Sequence, residues 1–378
     1  MLVKNPNIPA FIPPKRTLMG PGPSDVPQRI LDAMRRPTIG HLDPAFQDMM
    51  EQIKSLLRYA FQTNNSLTFP VSAPGSAGME MCFVNLVEPG DKVLVCINGV
   101  FGHRMLENIK RCGGVPVVVE DEWGKPVTVA RVEQALRDNP NIKVLAFVHA
   151  ETSTGAQSDA KALAALAQKH GVLTIMDCVT SVGGTPVLID EWGIDAAYSG
   201  SQKCLSCTPG LSPVTFSERA IEKVKARKTP VQSWFLDLNL VLGYWQSSGK
   251  RTYHHTAPIN PLYGLHEALV ILSEEGLESA WARHRAMHEQ LKAGLEAMGI
   301  KFVVEASARL PQLNSVWIPE GVDDVAARAR LLTEFNLEIG AGLGALAGKV
   351  WRIGLMGYSA KQQNVDFALK AIRSVLHK

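Results

Sequence analysis

The 378-residue chain lacks the features that mark membrane, secreted and nucleic-acid-binding proteins. No apolar run approaches the roughly 20 residues that a membrane-spanning helix needs. Residues 1–16 are rich in proline but have no apolar centre, so we expect no secretory signal. Basic and acidic residues number 39 and 36 and are well mixed, which leaves no basic surface for nucleic acid.

Cysteine is also scarce, and its placement excludes a metal or disulfide framework. Six cysteines lie scattered in apolar segments, which is typical of reduced thiols in an intracellular protein, so we expect a cytoplasmic location. Cys204 and Cys207 have the spacing of half a zinc site, but no second pair matches them. We interpret both as small packing residues. His254 and His255 are adjacent without an obvious carboxylate partner, so we predict no metal site.

What the chain does contain is a regular alternation of strand and helix patterns between residues 66 and 216. Fully apolar runs, such as residues 144–148, alternate with segments of helical period. Such runs are typical of parallel strands that are buried on both faces. The pattern predicts an α/β fold in which helices cover a mainly parallel sheet.

The C-terminal part of the chain has a different pattern. Residues 301–305 and 313–318 resemble strands, and helical segments follow them, which predicts a smaller α+β domain. We predict three parts: an N-terminal arm (1–18), a large cofactor-binding domain (19–275) and a small domain (276–378).

Two helix starts are predicted near the N-terminus. Ser24 has the side chain of an N-cap for a helix over residues 26–35. Asp43 precedes Pro44, which fits an N-cap followed by proline in the first helical position. Apolar residues then recur with a helical period up to Phe61.

A lysine in a nearly uncharged loop is the first candidate for chemistry. Lys203 lies among serine, glycine and glutamine, and between Glu191 and Glu218 the only other charged residue is Asp195. A lysine amine becomes nucleophilic when its pKa is lowered. An ordinary lysine in a surface turn is the alternative.

An acidic residue at the end of a predicted strand indicates a function for this lysine. Asp177 follows the apolar run 172–176, and side chains at the carboxyl ends of parallel strands face the ligand crevice. A Schiff-base lysine and an acid that partners a pyridinium nitrogen are what a pyridoxal phosphate site requires. Asp177 and Lys203 fit these two roles.

Three motifs together indicate a family. They are MDCVTSVGGTP at residues 176–186, SGSQK at 199–203 and YHHT at 253–256. In these motifs and their order the chain resembles the class V aminotransferases, particularly the alanine–glyoxylate and serine–pyruvate types. The resemblance runs from about residue 18 to the C-terminal helix. It implies a fold type I enzyme with a seven-stranded, mainly parallel sheet, bound pyridoxal phosphate and transaminase activity through a Lys203 Schiff base.

The resemblance also implies the roles of individual residues in cofactor binding. Tyr253 and Thr256 would reach the phosphate of the neighbouring subunit's cofactor, so we expect a homodimer with shared active sites. Asp177 and Lys203 would be catalytic. The other implied cofactor contacts are Gly75, Ser76 and Ala77 at the phosphate, Phe101 and Val179 on the two ring faces, Thr152 at the ring oxygen, and Gln202.

Arg352 is the predicted substrate anchor. It interrupts an apolar strand, and a buried arginine needs an anionic partner, either an internal carboxylate or, as the resemblance implies, the α-carboxylate of an amino acid. Gly22 and His41 would also lie near the substrate. With one such arginine, we predict alanine or serine as donor and glyoxylate or pyruvate as acceptor. Residues 343–349 would form a closing loop.

Several alternatives stay open. Ureidoglycine–glyoxylate transaminases are similar, but that subgroup carries glutamine and asparagine where this chain has His41 and Tyr253. Hydroxykynurenine transaminases share most of the motifs. A cysteine desulfurase needs a cysteine on a mobile loop, and residues 343–349 contain none. A non-catalytic relative would have lost Lys203 or Asp177.

Overall fold

The computed structural model describes residues 2–245 and 251–376. The helices are α1 (Gln28–Met34), α2 (Pro44–Phe61), α3 (Gly75–Leu86), α4 (Val100–Arg111), α5 (Val129–Asp138), α6 (Ala160–Lys169), α7 (Ile189–Trp192), α8 (Glu218–Lys225), α9 (Leu238–Trp245), α10 (Ile259–Glu275), α11 (Leu277–Glu296), α12 (Asp324–Phe335) and α13 (Gln362–Leu376). Across the described residues, no helix is both long enough and apolar enough to cross a membrane.

The strands form one large sheet and three small ones. They are β1 (Thr17–Leu18), β2 (Leu67–Val71), β3 (Lys92–Ile97), β4 (Val115–Glu120), β5 (Ile142–Val148), β6 (Ala150–Glu151), β7 (Ala156–Gln157), β8 (Leu173–Asp177), β9 (Ala196–Tyr198), β10 (Ser212–Phe216), β11 (Leu313–Trp317), β12 (Leu337–Glu338), β13 (Gly340–Ala341) and β14 (Val350–Gly354).

The large sheet has seven strands in the order β2-β10-β9-β8-β5-β3-β4. Only β10 runs antiparallel to its neighbours β2 and β9, so the predicted mainly parallel α/β fold is confirmed. β8 is central, and its register places Asp177 opposite Val148 on β5 and Tyr198 on β9. The strand ends that bear polar residues therefore lie side by side along one edge.

Apolar side chains at helical spacing explain how the outer helices attach to this sheet. In α2, the side chains of Phe46, Met50, Ile53 and Leu57 are fully buried. The Asp43 carboxylate accepts a hydrogen bond from the Ala45 amide at 2.8 Å, so the predicted cap is confirmed.

The smaller C-terminal region has its own sheet and apolar core. Its three antiparallel strands lie in the order β11-β14-β13. Buried residues such as Leu291, Trp351 and Ile372 form a cluster separate from that of the large sheet. The short strand β1, at the end of the predicted arm, pairs in parallel with β12.

Two local predictions are wrong. Ser24 does not cap α1, which begins at Gln28 after Pro27; its hydroxyl instead donates to the Lys203 carbonyl at 2.8 Å. Residues 301–305 do not form a strand, because the chain bends just after Phe302 and only an isolated bridge to Val316 forms.

Candidate active site at the carboxyl ends of the parallel strands

The candidate site is built from the loops that follow neighbouring strands of the large sheet. Phe101 follows β3, Thr152 follows β5 and β6, Asp177 ends β8, and Lys203 lies in the loop after β9. Because these strands are parallel and adjacent, their carboxyl ends share one edge. The fold thus brings together residues from segments far apart in the sequence.

Lys203 is buried, with 8% of its surface exposed. Its Nζ donates a hydrogen bond to the carbonyl of Pro21. Next to Pro21, a Cβ added to Gly22 would lie 2.7 Å from Nζ, so any larger residue would displace the Lys203 side chain. Burial and, after it, the positive charge of Arg352 lower the pKa of Lys203 to about 8. At neutral pH the amine is therefore partly neutral and able to act as a nucleophile.

Asp177 is buried at the end of β8 and accepts two hydrogen bonds. The Val179 amide donates to Oδ1 at 2.9 Å and the Tyr198 hydroxyl donates to Oδ2 at 2.8 Å. Burial raises the pKa of Asp177 to about 7, and these two donors only partly oppose the effect. A positively charged partner would restore the ionised carboxylate.

The residues predicted to hold the cofactor ring lie around this acid. Thr152 is buried, and its hydroxyl oxygen lies 2.5 Å from that of Thr180. Phe101 is half-buried in the first turn of α4, and the Arg104 guanidinium lies 4.8 Å from the centre of its ring. Val179 is also half-buried, directly after the strand end.

The start of α3 is the candidate site for the cofactor phosphate. A Cβ on Gly75 would lie 3.4 Å from the Ser199 carbonyl, so the first turn of the helix approaches the lysine loop closely. Within the described chain no side chain caps this helix, which leaves the amides of Gly75 and Ser76 available, whereas the Ala77 amide donates to the Pro74 carbonyl at 2.8 Å. Close by, the buried Gln202 Oε1 has no hydrogen-bond partner within the described chain. Rotation of that amide would present its N–H donors, so these residues fit pyridoxal phosphate.

Arg352 is held on β14 without a carboxylate. Its Nε donates to the Ala341 carbonyl at 2.7 Å, and its Nη1 donates to the Thr152 carbonyl at 3.1 Å. Burial lowers its pKa to about 10. Within the described residues no acidic oxygen lies within 4.0 Å of the guanidinium, so the alternative of an internal salt bridge is wrong.

Three predicted residues lie next to one another in the subunit. His41 and Tyr253 have ring centres 5.2 Å apart, and the Tyr253 hydroxyl lies 3.4 Å from that of Thr256. Tyr253 is 63% exposed. In the described parts of the chain, no hydrogen bond joins any of the three to Lys203 or Arg352.

Sequence reasoning missed the Pro21 carbonyl, Tyr198 and Glu151. Glu151 is fully buried beside Thr152, and an acidic residue three positions after the end of the apolar strand β5 was a usable signal. The Tyr198 contact depends on strand register, which the sequence does not reveal. No group of three or more metal-binding side chains occurs in residues 2–245 and 251–376.

Comparison with known proteins defines the class. The model of the family "Aminotransferase class-V" matches residues 17–366. The chain therefore belongs to the class V aminotransferases and is a pyridoxal-phosphate-dependent transaminase.

Two kinds of class V transaminase are similar to this chain over nearly its whole length. The chain is similar to the crystal structure of alanine–glyoxylate aminotransferase from Nostoc sp., with a TM-score of 0.96 and 46% identity over 100% of both chains. It is 39% identical to the (S)-ureidoglycine–glyoxylate transaminase of Bacillus subtilis, over 96% of this chain and 91% of that protein. It is 39% identical to alanine–glyoxylate aminotransferase of Rattus norvegicus, over 96% of this chain and 88% of that protein.

Proposed function

We propose that this transaminase moves the amino group of a small neutral amino acid, alanine or serine, to glyoxylate or pyruvate. The observation that carries the proposal is Arg352, a buried arginine whose free donors face no carboxylate of the described chain. A planar guanidinium binds one carboxylate with two parallel hydrogen bonds. Every amino acid and 2-oxo acid offers that carboxylate, and the site has no second buried arginine among its predicted residues to favour a dicarboxylic donor.

Lys203 and Asp177 would carry the chemistry. Bound pyridoxal phosphate supplies an aldehyde for the amino group and a ring that accepts the electron pair left at Cα. Lys203 would be the residue that binds this aldehyde, and its amine, when not bound to the cofactor, would accept the proton from the substrate Cα. Asp177 would face the ring nitrogen and keep it protonated, and its high pKa without such a partner supports this role.

The remaining predicted residues would bind and enclose the two ligands. Phe101 and Val179 would cover the ring faces, Thr152 would contact the ring oxygen, and Gln202 would donate to the phosphate. Gly75 and Ser76 would offer amides to the phosphate at the start of α3, and Ala77 would line the same turn. Gly22 would border the amine of Lys203, and residues 343–349 would close over the substrate.

The active sites would be shared between two subunits. Tyr253 and Thr256 are exposed on their own subunit, which supports their reaching the phosphate site of a second copy. In the arm, Leu2, Val3 and Phe11 are at least 85% exposed, and apolar side chains in such a state favour burial against another chain. The solution mass, measured by light scattering, should be that of a dimer, and a monomer would contradict this proposal.

The domain boundaries and the location of the protein are also proposals. The two separate apolar clusters support a division into an arm (1–18), a large domain (19–275) and a small domain (276–378). Limited proteolysis should therefore cut first in the arm, and early cuts inside the large sheet would contradict this division. Six free, buried cysteines support a cytoplasmic location, which cell fractionation would test.

A ureidoglycine donor is the second candidate, because a transaminase of that name is 39% identical to this chain. His41 and Tyr253 lie together at the two positions where we expect that subgroup to differ, which favours alanine or serine. 3-Hydroxykynurenine stays a further candidate. Desulfuration is disfavoured because all six cysteines are buried.

A screen of donors tests the proposal directly. Alanine, serine, (S)-ureidoglycine, 3-hydroxykynurenine and cysteine are each paired with glyoxylate and with pyruvate, and product formation is measured. We expect alanine or serine to give the highest kcat/KM, and Lys203→Ala to abolish turnover. A higher kcat/KM for ureidoglycine would overturn the donor assignment, and full activity of Lys203→Ala would overturn the mechanism.

A further inference from the structure

Glu151 is a fully buried carboxylate that the proposed chemistry does not use. All of its described partners are hydrogen-bond donors. The Ser153 amide and hydroxyl donate to Oε1 at 3.0 and 2.6 Å, and the Phe101 amide donates to Oε2 at 3.3 Å. Burial raises the pKa of the Glu151 carboxyl above its ordinary value, and these donors oppose that effect because they favour the ionised form.

Glu151 and Ser153 together complete the start of α4. The first amides of a helix have no partner within the helix, and the N-cap here is Gly99, which has no side chain to offer. The Val100 amide donates to the Ser153 hydroxyl at 3.0 Å, and the next amide donates to Glu151. A negative charge at this end also interacts favourably with the helix dipole. Phe101 is therefore oriented by acceptors that come from the loop after β5.

Gly99 makes this arrangement sterically possible. A Cβ at that position would lie 2.5 Å from Glu151 Cδ, closer than real side-chain atoms approach each other. The backbone of Gly99 is extended, with φ of 171°, so its conformation does not itself demand glycine. The missing side chain serves to let the carboxylate reach the helix.

Glu151 also acts on Arg352 without touching its donors. The guanidinium is bonded to two carbonyls, one of which belongs to Thr152, the residue after Glu151. The negative charge of Glu151 is the influence that opposes the effect of burial on Arg352. A direct salt bridge would compete with a substrate carboxylate for the same N–H groups. A carboxylate held nearby by backbone amides offsets the buried charge and leaves those groups available.

We propose that Glu151 is a positioning residue that orients Phe101 through the start of α4 and sustains the charge of Arg352 for substrate binding. This role rests on the proposed function, because it assumes that Phe101 covers the cofactor and that Arg352 holds the substrate carboxylate. The alternative is a buried acid that only stabilises the fold.

Glu151→Gln separates these two roles. Glutamine has nearly the same volume, but it has no charge, and its NH₂ group cannot accept a hydrogen bond, so either Ser153 or Phe101 loses its acceptor. The matched control is Asp195→Asn. Asp195 is a second buried carboxylate, which accepts from the Thr174 amide at 3.0 Å and the Ser217 hydroxyl at 2.9 Å. It lies near the amino ends of β8 and β9, whereas the candidate site lies at their carboxyl ends.

Three measurements give the test. The first is hydrogen–deuterium exchange of the amides at residues 100–103 in the protein without cofactor; the second is the dissociation constant of pyridoxal phosphate; the third is KM and kcat for the best donor. For Glu151→Gln we expect about tenfold faster exchange, about tenfold weaker cofactor binding and an increase in KM of about tenfold that exceeds the change in kcat. Asp195→Asn should leave all three near wild-type values.

Gly99→Ala provides a second variant in case Glu151→Gln does not fold. It displaces the carboxylate from the helix but keeps its charge, so exchange should accelerate while KM rises less than in Glu151→Gln. If the variants at Glu151 and Gly99 match Asp195→Asn in every measurement while wild-type protein is an active transaminase, the positioning role is overturned. If wild-type protein shows no transamination, the proposed function fails, and the exchange data still report the contact with α4.

Discussion

The protonation state of Lys203 should set the rate at which the protein captures its cofactor. Only a neutral amine attacks an aldehyde, and burial together with Arg352 lowers the pKa of this lysine from 10.5 to about 8. At pH 7, about one amine in ten is then neutral, against about one in three thousand for an ordinary lysine. Capture at pH 7 should therefore be roughly 300-fold faster than for an exposed lysine in the same loop.

The assay mixes protein freed of cofactor with pyridoxal phosphate and follows the visible absorbance of the bound form between pH 6 and pH 10. The rate should increase about tenfold per pH unit up to about pH 8 and then level off. Arg352→Gln should move the midpoint upward, because it removes a positive charge that disfavours the ammonium form. Arg219→Gln, which alters a half-exposed arginine paired with Asp195, should leave it unchanged.

The result that refutes this reasoning is equally specific. A rate that still increases tenfold per pH unit beyond pH 9 would place the pKa near 10.5 and show that Lys203 is hydrated as in an open loop. An unchanged midpoint in Arg352→Gln would show that the charge of Arg352 does not reach the amine.

Three further perturbations follow from the same site. Asp177 has a folded-state pKa of about 7 against an ordinary 3.8. Its contribution to the free energy of unfolding is therefore complete below pH 3.8 and is lost as the pH rises through 7. The loss corresponds to roughly 4 kcal/mol. Asp177→Asn should therefore raise the unfolding temperature of the cofactor-free protein at pH 8, and this increase should become smaller toward pH 4. Turnover should fall in the same variant. If calorimetry shows no increase in unfolding temperature at pH 8, the raised pKa of Asp177 is contradicted. Gly22→Ala would place a Cβ 2.7 Å from Lys203 Nζ at a φ of +104°, whereas a Cβ on Gly20 would meet no atom closer than 3.7 Å. Titration with the cofactor should show an affinity at least about tenfold lower in Gly22→Ala. The control Gly20→Ala should change the affinity little. Mixing inactive Lys203→Ala with weakened Tyr253→Ala should restore about a quarter of wild-type activity through mixed dimers with one intact site, and no recovery would show that Tyr253 serves its own subunit.

The sequence was sufficient for the parts of the site that depend on local pattern. Asp177 and Lys203 could be found because an apolar strand predicts its own end, and parallel strands bring their carboxyl ends to one edge. The helix start at Asp43 was also predictable, because the carboxylate binds an amide only two residues away. Ser24 has the same kind of local signal, yet its hydroxyl bonds the distant Lys203 carbonyl, because the tertiary approach of that loop outweighs a local cap.

The rest of the site depends on contacts across long sequence separations. The bond from Lys203 to Pro21 spans 182 residues, and no periodicity in either segment indicates it. The hydrogen bond from Tyr198 to Asp177 requires the register of β8 and β9. Glu151 was visible as a charge after an apolar strand, but its partner, the Phe101 amide, belongs to a helix that follows a different strand.

The four buried ionisable groups of the site are arranged to bind ligands rather than to pair with one another. Lys203, Asp177, Glu151 and Arg352 are all buried, and among the described residues none of the four forms a salt bridge within 4.0 Å. Direct pairs would reduce the cost of burying these charges, but a ligand would then have to break them, which leaves an uncompensated charge behind. Held instead by carbonyls, amides and hydroxyls, each charge is oriented in advance for a ligand group of opposite polarity. The same arrangement that disfavours the empty protein near pH 7 therefore strengthens its binding of cofactor and substrate, so bound ligands should stabilise the fold in proportion to their affinity.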